Sequence, residues 1–292
     1  MRVDPLAAAP AALDGPVLDG PVDSPVDSPV DSPVALVTGA ARGLGAAVAA
    51  ALDNRGYRLV LTDVATSPGS HADRTHGGYP YATWDDLAKV AAGCTDAVAV
   101  RADVRIQADL DAAVGIARSR FGRLDAAVAV AGVIAGGPPV WETDSDTWRL
   151  LQAADLDGVF HLVRAAVPAL LAAPAGRFVA ISSAAGTRPL ARLAAYSAAK
   201  HGVIGLVRGL AADLAGTAVT ANVVCPGSMD TAMLAETARI YGLDGVGEFA
   251  QHTFQRRLLG PAEVAEAVAW LCSPAAGALT GAVVPVDAGF TG

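Results

Sequence analysis

The chain has 292 residues, 53% of them apolar, and a formal net charge of −8. That length suits one large α/β domain with a generous core, and the acidic balance argues against a nucleic-acid or anionic-membrane surface. The cysteines Cys94, Cys225 and Cys272 are scattered, with neither C-x-x-C nor metal-ligand spacing. They read as reduced thiols in a cytoplasmic protein with no bound metal.

Residues 1–33 read as a disordered tail outside the fold. Pro21-Val-Asp-Ser24 recurs at 25–28 and 29–32, and such repeats bury too little apolar surface to order themselves. Asp4, Pro5 and Asp14 interrupt the apolar stretch there, so no signal peptide is expected. Runs such as Ala165 to Gly176 are too short and proline-broken to span a bilayer.

From Val34 to Gly292, apolar runs alternate with helical periods, the pattern of βαβ units on a parallel sheet. The predicted strands are 34–38, 58–62, 97–101, 125–130, 177–182, 219–225 and 282–286; the predicted helices are 43–55, 107–121, 145–172, 194–215 and 261–272. Right-handed crossovers then wind the chain into a doubly wound, Rossmann-type α/β domain with a seven-stranded parallel sheet flanked by helices.

The first strand ends at Thr38 and runs into Gly39-Ala-Ala-Arg42-Gly43-Leu44-Gly45 and an alanine-rich helix. Glycines let the backbone turn tightly and approach a pyrophosphate, and the helix N-terminus presents free N–H groups to that anion. Asp63 closes the second strand, where an acidic side chain takes the adenine ribose hydroxyls. Some thirty residues then separate Asp63 from the third strand. This insert, 65–93, reads as loop followed by a helix capped by Thr83, with Asp85 and Asp86 in its first turn. A loop that long is functional or disordered, and Tyr79, Tyr81 and Trp84 favour function.

Ser183 follows the apolar run Arg177-Phe-Val-Ala-Ile-Ser182, at a strand end, where an α/β sheet presents catalytic groups. Tyr196 and Lys200 lie four residues apart and share a helix face. An ammonium beside a phenol stabilises the phenolate and makes it a usable proton-transfer group near neutral pH.

In this order, the glycine motif, Asp63, Asp103-Val104, Ala131-Gly132, Ser183, Tyr196, Lys200, Pro226-Gly227 with Thr231, and Val286-Asp-Ala-Gly289 resemble the short-chain dehydrogenase/reductase family. The likeness covers nearly everything from Val34 onward. It implies an NAD-dependent oxidoreductase acting on an alcohol or ketone, assembled as a homotetramer or homodimer. Tyr196 is then general acid/base, Lys200 lowers its pKa and holds the nicotinamide ribose, and Ser183 hydrogen-bonds the reacting oxygen. Asp103 and Val104 contact adenine, Pro226-Gly227 and Thr231 border the carboxamide, and Ala131-Gly132 line the cofactor. A carboxylate at Asp63 repels the 2′-phosphate of NADP; Arg42 is the residue that argues the other way. The stretch Tyr79-Pro-Tyr-Ala-Thr-Trp-Asp-Asp-Leu87 further resembles the insert of the mycofactocin-coupled subgroup, which implies tightly held NAD(H) and mycofactocin as electron acceptor. Because it starts immediately after Asp63, the insert is expected to fold over the adenine and pyrophosphate side of the cofactor.

Two positions depart from the family. Val130 stands where Asn-Ala-Gly begins, and Asp155 stands for the asparagine that is the fourth catalytic member. Asp155 can still accept hydrogen bonds, but its charge opposes the effect of Lys200 on Tyr196. These departures prompt an alternative, a catalytically silent NAD-binding sensor or scaffold. An epimerase or dehydratase would bring a Gly-x-x-Gly-x-x-Gly loop and a longer substrate domain, both absent from the sequence. The substrate lid is expected at 229–257, with 136–141 beside it; Met233, Leu234, Phe249 and Trp141 suggest an apolar alcohol.

Overall fold

A computed structural model describes residues 32–65, 75–76 and 79–290. Most of the predicted tail and the first half of the insert, 66–74, lie outside the described residues. Ser32 and Pro33 already belong to the fold, because Arg58 donates from its side chain to the carbonyl of Ser32 and from its amide to that of Pro33.

In chain order the elements are β1 (Val34–Thr38), α1 (Gly43–Asp53), β2 (Arg58–Asp63), the short β3 (Thr75–His76) and β4 (Tyr79–Pro80), α2 (Trp84–Ala92), β5 (Ala97–Arg101), α3 (Gln107–Phe121) and β6 (Ala126–Ala129). There follow α4 (Ser145–Gln152), α5 (Gly158–Leu170), β7 (Arg177–Ile181), α6 (Ala194–Asp213), β8 (Thr220–Pro226), α7 (Ala232–Tyr241), α8 (Pro261–Cys272) and β9 (Val283–Val286). The seven long strands form one parallel sheet in the order β5-β2-β1-β6-β7-β8-β9. The predicted strands agree with it to within a residue at each end.

Burial explains why these strands were continuous apolar runs. Ala35, Val37, Leu59 and Leu61 enter the cluster that packs against α1, α2 and α8. Their neighbours Val34, Leu36 and Val60 enter the cluster that packs against α3, α5 and α6. A parallel sheet covered on both faces needs apolar side chains at every position. Strand order reverses between β1 and β6, which opens a crevice at their carboxyl ends.

The predicted helix 145–172 is three pieces. A π-helical turn, Ala153–Asp157, separates α4 from α5. The insert contributes an antiparallel β3–β4 pair and then α2, whose Thr83 and Asp86 form a reciprocal cap. The predicted lid contains α7, and β4 lies against it. Among the described residues no helix is long and apolar enough to cross a membrane.

Two glycines set the shape of the first loop. Gly39 has φ +66°, and a Cβ there would lie 2.7 Å from the Cα of Ala131. A Cβ on Gly45 would lie 1.9 Å from the carbonyl oxygen of Gly39. Gly45→Ala should therefore force the loop open and lower the melting temperature by roughly 5 °C or more. Gly115→Ala, in α3 with open space around it, should instead be neutral or stabilise by up to ~1 kcal/mol. Thermal unfolding of the two variants side by side checks this.

Candidate functional site

The carboxyl ends of the strands surround a cavity of about 840 Å³. Gly39, Arg42, Gly43, Leu44, Gly45 and Asp63 line one end. Asp103, Val104, Ala131 and Gly132 follow, then Ser183, Tyr196 and Lys200, with Pro226, Gly227 and Thr231 on the far side. Each of these was picked out in the sequence, and one continuous cleft brings them together. Asp155 does not line it; it stands behind Lys200.

Thr38, which the sequence reading passed over, joins the two halves of the crevice. Its hydroxyl accepts from the amides of Val130 at 3.1 Å and Ala131 at 3.2 Å, linking the ends of β1 and β6. Backbone donors thus make the tie that the missing side-chain amide at 130 would have made. Asp63 accepts from the Ala41 amide at 3.1 Å. Burial pushes its carboxyl up, while the Ala41 amide and the Arg42 guanidinium pull it down. Asp103 accepts from Arg105 through both its amide and its guanidinium. Arg105 also lines the cleft and carried no signal in sequence. Thr231 caps α7, accepting from the Leu234 amide.

Tyr196 and Lys200 are both buried, on adjacent turns of α6. The Ser183 hydroxyl accepts from the Ala185 amide and stands close enough to the phenol to pull its pKa down. Lys200 Nζ donates to the Ile181 carbonyl at 3.3 Å and lies 5.7 Å from the centre of the Tyr196 ring. Asp155 is fully buried in the π turn. Its Oδ1 accepts from the Val133 amide at 2.7 Å, and its Oδ2 stands 4.0 Å from Lys200 Nζ with no hydrogen-bond partner in the protein.

The expectation that Lys200 depresses Tyr196 is corrected by this geometry. The phenol is held above its ordinary value, first by burial and then by the Asp155 carboxylate, with Ser183 pulling it back. Lys200 is turned toward Asp155 and Ile181, so its charge is spent largely on the carboxylate. Asp155 itself is pushed up by burial, and Lys200 and the Val133 amide limit the rise to about 6.

Two further expectations change. The insert was expected on the adenine and pyrophosphate side. Trp84 does pack there, under the Arg101 guanidinium. Tyr81 stays within reach of Arg105 and Asp103 on that side and also packs against the cluster that contains Tyr196. Met233, Leu234 and Phe249 line the cavity as expected, but Trp141 is 81% exposed and does not. Its loop borders α7 at Glu236 and Arg239, outside the main cleft.

The family model described as enoyl-(acyl carrier protein) reductase matches residues 39–291. A (−)-trans-carveol dehydrogenase of Rhodococcus erythropolis is 36% identical over 88% of this chain and 96% of its own length. A cis-4-hydroxycyclohexanecarboxylate dehydrogenase of Sinomonas cyclohexanicum is also 36% identical, with the same coverage. The solved structure of carveol dehydrogenase from Mycobacterium avium in complex with NAD superposes with a TM-score of 0.81 at 31% identity, covering 88% of this chain and 96% of that one. The chain belongs to the short-chain dehydrogenase/reductase family and is an oxidoreductase of that family.

The buried carboxylate generates a prediction with a defined sign. Asp155 has a folded value of about 6 against an ordinary 3.8, so the folded state binds its proton more tightly than the unfolded state. Its ionisation therefore destabilises the fold, a penalty that is absent below about pH 4 and complete above about pH 6. Asp155→Asn should raise the melting temperature at pH 7 to 8, with the gain fading as pH falls from 6 to 4. Removing the negative charge should also move the Tyr196 phenol to lower pH, read from tyrosinate absorbance.

Proposed function

We propose that this protein is an NAD-dependent alcohol dehydrogenase or ketone reductase in which Tyr196 is the general acid/base. The observation that carries the reading is the grouping of Ser183, Tyr196 and Lys200 on the wall of a cleft that runs unbroken to Asp63. The residues fit the cofactor. At Gly39 and Gly45 any side chain would collide with neighbouring backbone, so the first loop is held in its tight turn. Leu44 and Gly45 open α1 toward the cleft with the free amides that suit a pyrophosphate. Asp63, at the end of β2, is placed for the adenosine 2′,3′-hydroxyls and against a 2′-phosphate. Asp103 and Val104 would border the adenine, Ala131, Gly132 and Lys200 the nicotinamide ribose, and Pro226, Gly227 and Thr231 the carboxamide. When bound, NAD supplies the carbon that accepts or returns the hydride.

The chain's own groups handle the proton. Ser183 and Tyr196 hold the reacting oxygen, and the proton passes between that oxygen and the phenol. Because burial and Asp155 keep the phenol protonated, the site at neutral pH is set to donate, as ketone reduction requires. Alcohol oxidation needs the phenolate and gains as pH rises.

The insert supports retention of the cofactor. With β4 against α7 and Tyr81 on the cavity wall, its second half spans the cleft from the Asp63 side toward the lid. A ligand behind such a strap leaves slowly and must be reoxidised in place, and mycofactocin is the acceptor that the resemblance of residues 79–87 supplies. The same reading places the protein in the cytoplasm as a homotetramer or homodimer.

Tyr196→Phe removes the transferable proton while keeping the ring packed. Turnover of a secondary alcohol, followed with an artificial electron acceptor, should fall by at least ~10², and NAD should stay bound. Near-normal turnover in the variant would show that the role given to Tyr196 is wrong, whereas a wild-type protein that binds NAD and turns over no alcohol would favour the alternative of a catalytically silent sensor or scaffold. Denaturing the purified protein should release NAD(H), and added NAD⁺ alone should give little free NADH. An empty protein with rapid NAD⁺-dependent turnover would remove the case for mycofactocin coupling.

A further inference from the structure

We infer that the substrate is an uncharged, hydrocarbon-rich alcohol or its ketone, and that the site rejects a carboxylate analogue of the same shape. The inference rests on the placement of Tyr196 at the reacting end of the cleft. Tyr196 sits in an apolar cluster with Val133, Ile134 and Leu193, against which Leu150, Leu190 and Met233 pack. All six neighbours also line the cavity.

The charges along the cavity are the side chains of Arg42, Asp63, Asp103, Arg105, Lys200 and Asp230. Of the cations, Arg105 is bound to Asp103, Lys200 faces Asp155, and Arg42 lies in the glycine loop near Asp63. None of them belongs to the cluster around Tyr196. The lid's hydroxyls are also engaged: Thr237 donates to the Met233 carbonyl and Tyr241 to the Ala191 carbonyl, each at 2.8 Å. A carboxylate seated beside Tyr196 would lose its water and find Lys200, 5.7 Å from the ring, already facing Asp155 and bonded to the Ile181 carbonyl, and it would add to the negative charge of Asp155. Tyr81, His252, Ser182, Ser228 and Thr231 are further polar side chains of the wall.

The two similar dehydrogenases named above carry in their names a neutral alcohol and a hydroxy acid respectively, so family membership does not make this choice. The wall does, in favour of the neutral compound.

The test is a matched pair, 4-methylcyclohexanol and 4-hydroxycyclohexanecarboxylate, in cis and trans forms. Binding to the protein with NAD present is measured by calorimetry at pH 8.5. The methyl compound should bind about 100-fold more tightly or better; a smaller ratio overturns the inference. Met233→Arg, in the first turn of α7, should improve binding of the carboxylate at least ten-fold and weaken that of the methyl compound. Leu150→Lys, on α4, is the second variant should the first fail to fold. If a folded variant brings no gain, the missing cation is not the cause, and the inference falls. A protein that binds the methyl compound selectively yet oxidises none of it keeps this inference and overturns the role given to Tyr196.

Discussion

The buried pair of Asp155 and Lys200 holds four parts of the molecule in register. Asp155 comes from the π turn between α4 and α5 and grips the Val133 amide beyond β6. Lys200 comes from α6 and donates to Ile181 at the end of β7. A Cβ on Gly132 would lie 3.0 Å from Asp155 Oδ1 and 3.2 Å from Lys200 Nζ, so a side chain there would have to push the pair aside by a few tenths of an ångström. At 4.0 Å the ions are too far apart for a direct hydrogen bond. Each makes its hydrogen bond to backbone, Asp155 with the Val133 amide and Lys200 with the Ile181 carbonyl, which makes the pair a device for position as much as for charge.

Tyr196 inherits its environment from that pair. A lysine aimed at a carboxylate is largely neutralised from the viewpoint of the phenol, and the carboxylate is near enough to disfavour phenolate. Nearby Ser183 is the group that works in the opposite direction. The site therefore combines a strong geometric claim to proton transfer with an electrostatic setting that favours the protonated phenol. A bound cofactor would bring its own charge into this balance.

Much of this was legible in the sequence because both faces of the sheet are covered. Most strand residues are apolar where the strand has no solvent face, so strand boundaries fall close to the ends of apolar runs. Ser183, Tyr196, Lys200 and the glycine loop were legible because their spacing is imposed by strand ends and helix turns. Three things were not. Thr38 and Arg105 act through partners distant in the chain or through loop geometry, and neither leaves a periodic trace. Tyr81 is near Arg105 and Asp103, as its place after Asp63 in sequence suggests, but its further packing against the Tyr196 cluster depends on the path of the insert. The direction of the Tyr196 shift depends on which way Lys200 points, and four-residue spacing says only that the two share a face.

The π turn has a consequence for how this helix tolerates change in length. A residue added to or removed from an α-helix rotates everything beyond it by roughly 100°, and a π turn is in effect one such added residue. On α5, Leu162, Ala166 and Leu170 form the stripe that packs into the sheet, while α4 turns Leu151 toward the Tyr196 cluster. The extra residue lets one continuous rod serve two differently oriented walls. Deleting a residue from 153–157 would straighten the rod and turn one of these stripes toward solvent. The segment that carries the substituted aspartate thus has a length fixed by packing, even though its side chain is free to differ from the family's.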